Sequence, residues 1–76
     1  MRIINVIRVK DGLPVDIYNY VNDMDAAIDM FRILAADSGI HMNGLELEAA
    51  LDNGHIATPD GCICFNMDSC PQVKGA

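Results

Sequence analysis

The chain has 76 residues, of which 51% are hydrophobic, and its formal net charge at pH 7 is −6. This length allows one small domain, and the apolar share is too high for a disordered chain. No apolar run approaches the roughly 20 residues of a membrane-spanning helix, and the three cysteines do not form a disulfide-rich pattern. Composition therefore excludes a membrane protein, a secreted disulfide scaffold and a multidomain enzyme.

The first 21 residues predict a β-hairpin. Two stretches rich in β-branched residues, 3–9 and 15–21, flank the turn sequence Asp11-Gly12. We expect a three-residue loop, 11–13, because it pairs Ile7 with Ile17 and keeps apolar side chains on one face, whereas a one-residue slip would mix the faces. The same register pairs Val9 with Val15.

This register separates two faces of the hairpin, and the more apolar one is predicted to lie against the helices. That face carries Ile3, Ile7, Val9, Val15, Ile17 and Val21. The other face carries Arg2, Ile4, Val6, Arg8, Asp16, Tyr18 and Tyr20. We expect this second face to be open unless another chain covers it.

Two helices are predicted next. Residues 23–38 carry apolar side chains at i, i+3, i+4 and i+7, with Asn22 or Asp23 as the N-cap and Gly39 after the last turn. A shorter helix over 44–52 begins with Asn43 and Glu46 in the spacing of a capping box.

A second hairpin is predicted from strands 55–58 and 62–67 around a Pro-Asp-Gly turn. The expected three-residue loop places His55 on the face opposite Cys62 and Cys64, whereas a two-residue loop would put all three on one face. The complete prediction is an α+β domain over 1–67 in the order ββααββ, an antiparallel sheet of two hairpins with both helices on one face, followed by a flexible tail over 68–76.

The cysteines and one histidine are the candidate metal ligands. Three thiolates and an imidazole suit zinc, and the set would be Cys62, Cys64, Cys70 and His55. The Cys-x-Cys spacing is tighter than the usual zinc knuckle, so we expect no bound metal. The number of cysteines is odd, and Cys62 and Cys64 are too close to bridge, so we expect no disulfide framework and a reducing cytoplasm. A thiol nucleophile is a further alternative, but no glycine-rich oxyanion turn flanks any cysteine.

Two surfaces are candidates for binding a partner. Tyr18 and Tyr20 beside Ile4 resemble the core of a protein interface, either with a partner or in a homodimer. Asp25 and Asp29, four residues apart, form an acidic row on the first helix. All 11 acids follow residue 10, so a partner with a basic surface is favoured and direct nucleic-acid binding is not.

The chain resembles small, poorly characterised proteins that phages and other mobile elements encode. The stretches that carry the resemblance are Arg2 to Pro14, the helix ending Ala-Asp-Ser-Gly, and the closing run from Asn53 to Phe65. Small acidic α+β proteins of this kind include anti-CRISPR and other anti-defence inhibitors, which bind and block a host complex. The resemblance implies a cytoplasmic binding protein without enzymatic activity or cofactor, and it transfers no catalytic residue.

Overall fold

A computed structural model of the chain describes residues 1–66, so the predicted tail and Cys70 lie outside the described residues. Six elements follow in the predicted order: β1 (Ile3–Lys10), β2 (Leu13–Val21), α1 (Met24–Asp37), α2 (Gly44–Asn53), β3 (His55–Thr58) and β4 (Gly61–Phe65). The four strands form one antiparallel sheet in the order β2-β1-β4-β3. The α+β prediction is confirmed.

The register of the first hairpin is as predicted from Ile3↔Val21 to Arg8↔Asp16. The predicted loop is wrong, because Val9 lies opposite Pro14 and not opposite Val15. Asp11 and Gly12 both have positive φ, 54° and 82°, as a two-residue type I′ turn requires. Val15 has no residue opposite it in β1, and this β-bulge at the Arg8/Val9 step restores the predicted pairing from Arg8↔Asp16 onward.

The second hairpin also has a shorter loop than predicted. His55 lies opposite Cys64, Ala57 opposite Cys62, and Thr58 opposite Gly61. Only Pro59 and Asp60 therefore connect the strands, and His55 shares a face with the two cysteines. The predicted placement of His55 on the opposite face is wrong.

Local sequence signals position both helices as predicted. The Asp23 carboxylate accepts a hydrogen bond from the Ala26 amide at 3.1 Å and caps α1. At the other end of α1, the Gly39 amide donates a hydrogen bond to the Ala36 carbonyl oxygen and the Ile40 amide donates one to the Ala35 carbonyl oxygen, in the pattern of a Schellman motif. Among the described residues no helix is long and apolar enough to cross a membrane.

The capping box of α2 is present in both directions. The Asn43 side chain accepts a hydrogen bond from the Glu46 amide at 2.8 Å, and the Glu46 carboxylate accepts one from the Asn43 amide at 3.0 Å. Gly54 ends the helix with φ 80°, a conformation that suits glycine. The chain thus enters β3 directly after the helix.

The helices cover the face of the sheet that was predicted to be open. Phe31 of α1 stacks on Phe65 of β4, with ring centroids 4.8 Å apart, and both belong to the main core with Ile4 and Val6. The prediction that the other face of the hairpin lies against the helices is therefore wrong. The register between β1 and β4 explains the result, because Val6 lies opposite Phe65 and the largest β4 side chains join the tyrosine side of the sheet.

Candidate partner-binding surfaces

The net charge lies in the helical half of the molecule. Residues 23–53 contain seven carboxylates and one cation, giving a net charge of −6. The seven acids are Asp23, Asp25, Asp29, Asp37, Glu46, Glu48 and Asp52, and all are exposed. In the other described residues, three cations balance three acids. We call the exposed side of α1 and α2 the acidic layer.

The predicted acidic row lies within this layer. Asp25 and Asp29 are exposed on α1, one helical turn apart, which separates them by about 6 Å along the axis. Arg32 is the single cation of the layer. The helix stripe that contains Ala27 and Phe31 is buried against the sheet, so these carboxylates point away from the core.

Ion pairs hold two of the sheet cations against nearby acids. The Arg8 guanidinium lies 3.1 Å from the Asp37 carboxylate, to which it donates a hydrogen bond, and 4.0 Å from that of Asp16. The Lys10 ammonium lies 3.9 Å from the Asp60 carboxylate. These pairs reduce the cationic character of the sheet.

The predicted tyrosine surface does not form as one exposed patch. Ile4 is 4% exposed and belongs to the core, so its assignment as a partner-binding residue is wrong. Tyr20 packs against the same core and is half-buried, while Tyr18 is 36% exposed. The tyrosines lie beside the helices because β2 follows the register of β1, whose Ile4 and Val6 face the helices.

The opposite face of the sheet carries an apolar strip that sequence reasoning assigned to the core. Its members are Ile3, Val15, Ile17 and Val21, each between 51% and 56% exposed. Their neighbours Ile7 and Val9 in β1 are 1% exposed. We call these four exposed side chains the β2 strip, since three of them belong to β2 and Ile3 lies opposite Val21.

Cys62, Cys64 and His55 share one face of the sheet. Cys62 is disulfide-bonded, contrary to the expectation of no disulfide, and Cys64 is a free thiol. Burial raises the pKa of the Cys64 thiol from 9.0 to about 11. His55 Nδ1 lies 3.2 Å from the Asn53 carbonyl oxygen. Within residues 1–66 no group of three or more His, Cys, Asp or Glu side chains is placed to hold a metal ion.

A cleft of about 330 Å³ lies where the start of α1 and the end of α2 approach the sheet. Apolar side chains, including Ile28, Leu51 and Phe65, line most of it, and Arg2 is the one charged residue that the described part of the chain places at its wall. Among residues 1–66, the lining of this cleft holds no pair of titratable side chains of the kind that acid–base chemistry uses.

Comparison with protein-family models, with curated proteins and with solved structures found no match for the chain.

Proposed function

We propose that the protein is a non-enzymatic, anti-CRISPR-like inhibitor that occupies a basic surface of a host defence complex through its acidic layer. The observation that carries the proposal is the segregation of charge. The helices contribute a net charge of −6, whereas the described sheet and turns contribute none. A one-sided field of this kind attracts a complementary basic surface and speeds association with it.

The shape of the acidic layer supports a target that normally binds nucleic acid. Such complexes hold the phosphate backbone in grooves lined by Lys and Arg. Carboxylates repeated along α1, with Asp25 and Asp29 about 6 Å apart, imitate a row of phosphates. The inhibitor would therefore compete with nucleic acid for the groove and would not bind nucleic acid itself.

The target implies where the protein acts. Complexes that cut invading nucleic acid work in the cytoplasm, so the proposal includes that location. Cys62 is disulfide-bonded, and disulfides are uncommon in cytoplasmic proteins. Mass spectrometry of the protein after trapping thiols inside the producing cells measures whether that bond forms there.

The experiment is an inhibition assay with purified RNA-guided nuclease complexes of several types. Each complex is mixed with excess protein before labelled target DNA is added, and DNA binding and cleavage are recorded. We expect loss of DNA binding for at least one complex, with the block weakening as salt is raised from 50 to 300 mM. Undiminished DNA binding by every complex at tens of micromolar protein would count against the proposal.

A zinc-binding module is the second candidate, favoured by one observation: His55 lies opposite Cys64 in the β3–β4 ladder. The disulfide at Cys62 removes one of the predicted ligands. We expect purified protein to contain well under one zinc per chain, and a chelator to leave the melting temperature unchanged. Stoichiometric zinc, with unfolding on chelation, would favour this second function.

A further inference from the structure

We propose that residues 67–76 cover the centre of the helix-free face of the sheet and are tied there by a disulfide between Cys62 and Cys70. This face carries four side chains that are at most 1% exposed and that form a cluster separate from the main core. We call them the central patch. They are two neighbouring cross-strand pairs of β1 and β4, Ile7 with Cys64 and Val9 with Cys62.

The elements within residues 1–66 do not account for this burial. Both helices pack on the other face, and the loop between them packs there through Ile40 and Met42. At the start of the chain, Met1 is 95% exposed. A single chain already buries the central patch, so the cover belongs to the same chain. Residues 67–76 are the part of that chain outside the described range.

The cover is narrow, as a single segment of chain would be. Ile17 of β2 lies opposite Ile7 and is 56% exposed. On the other side, Ala57 of β3 lies opposite Cys62 and is exposed. Complete burial on this face is therefore confined to the two central strands, which lie about 4.8 Å apart. A helix or a second sheet packed on the face would also bury side chains of the outer strands.

The cysteines give the segment its attachment point. Cys62 is disulfide-bonded and Cys64 is a free thiol. The chain contains three cysteines, so the remaining sulfur is that of Cys70. Directly after β4, Asn66 has φ 66°, a left-handed conformation that turns the chain out of the strand direction. The chain from Phe65 to Cys70 spans at most about 17 Å, which exceeds the roughly 10 Å between Phe65 and Cys62 along β4.

The bond makes the cover sensitive to reductant. The larger apolar side chains of the segment are Met67, Pro71 and Val73, and burying so few does not offset the conformational entropy lost when the whole segment is ordered. A dithiol reduces the bond to two thiols, with transfer of two electrons and two protons, and is itself oxidised to a disulfide. The untied segment then leaves, and the central patch and the β2 strip become one exposed apolar surface. This inference stands or falls independently of the acidic layer.

Disulfide mapping tests the attachment. The protein is alkylated with N-ethylmaleimide in urea without reductant and is then cut by chymotrypsin after Phe65, which separates Cys70 from the other two cysteines. We expect the label on Cys64 and a linked pair of peptides that contain Cys62 and Cys70 and separate on reduction. A bond between any other two cysteines, or three labelled thiols in protein purified in air, would overturn the proposal.

Nuclear Overhauser effects test the cover in the full chain. In oxidised protein with labelled Ile and Val methyl groups, we expect contacts from Ile7 and Val9 to protons of residues 67–76. The matched controls are Ile17 and Val21, which are exposed on the same face and should show no contact with that segment. The absence of contacts from Ile7 and Val9 to the segment, or contacts to a second copy in a mixture of labelled and unlabelled chains, would contradict the assignment.

Reduction tests the dependence on the bond. A dithiol should abolish the contacts of Ile7 and Val9 with residues 67–76 while leaving those within the main core, such as Ile4 with Phe31, unchanged. Cys70→Ser should behave like the reduced protein without added dithiol. Contacts that persist in both cases would show that the segment is held without the bond and would overturn the redox dependence.

Discussion

Gly61 lies where β4 passes closest to β1. A Cβ atom built at this position would stand 1.9 Å from the Val9 carbonyl oxygen, a contact that the backbone cannot accept without moving. The Pro-Asp-Gly sequence indicated a turn glycine, but the pairing of β4 with β1 imposes the requirement. A hairpin considered alone does not contain that neighbour.

Gly61→Ala should therefore lower the free energy of unfolding by about 1–3 kcal/mol, the usual range for overpacking. Gly44→Ala is the matched control, because nothing lies within 4 Å of a Cβ built there and the position opens α2. It should be neutral or stabilise by about 0.4–1 kcal/mol. Urea unfolding of both variants measures the difference, and equal midpoints would contradict the close approach.

Burial makes the Cys64 thiol a poor nucleophile at neutral pH. Its pKa of about 11 leaves about 100-fold less thiolate than the ordinary value of 9.0. We expect iodoacetamide to label Cys64 at least 100-fold more slowly in native protein than in urea at pH 8, as read by peptide mass spectrometry. Labelling at equal rates in the two states would exclude a protected thiol.

The same shift predicts a pH dependence of stability. Folding favours the protonated thiol, so its contribution is complete below pH 9 and is lost as pH rises from about 9 to about 11. The free energy of unfolding should fall through this range more steeply for the wild type than for Cys64→Ala. Parallel profiles for the two proteins would contradict the assignment.

At the scale of elements, the chain specifies its turns and caps locally but not the side on which the helices pack. The Asp23 cap, the Asn43–Glu46 box and Gly39 were predictable because each depends on residues within one turn. The helix-bearing face was not, because it is set by the pairing of β1 with β4, which are more than 50 residues apart.

The lengths of the two hairpin loops were also not predictable from local sequence. Asp11-Gly12 favours a two-residue turn, yet the pattern of apolar residues further along favoured the three-residue count. The bulge after Arg8 satisfies both, which is why most of the predicted register is correct although the loop is not. In the second hairpin no long apolar pattern was present to select between two registers.

Ile7 and Ile17 test the corrected assignment of faces. They lie opposite each other, but Ile7 is 1% exposed and Ile17 is 56% exposed. Ile7→Ala should lower the free energy of unfolding by about 2–4 kcal/mol, and Ile17→Ala by less than about 1 kcal/mol. Equal losses for the two variants would restore the original assignment of a buried Ile17.

At the scale of the whole molecule, two surfaces face in different directions. The acidic layer covers the outer side of the helices, and the β2 strip lies on the far side of the sheet. The acidic row was predictable because its carboxylates alternate with a helical apolar stripe. The β2 strip was not, because the same alternation describes a strand whose apolar face is buried and one whose apolar face is open.

Binding of a basic partner to the acidic layer should weaken as salt screens the attraction between the two charged surfaces.

The central claim is that the acidic layer recognises the target, and a charge-matched pair of variants tests it most directly. Asp25→Asn with Asp29→Asn, and Asp11→Asn with Asp60→Asn, each change the net charge from −6 to −4, the first pair in the acidic layer and the second in the turns of the sheet. Against a complex that the wild-type protein inhibits, we predict that the first pair lowers affinity on the order of tenfold, mainly through slower association, while the second stays within about twofold of wild type. Equal losses for the two pairs, or none for the first, would contradict the account.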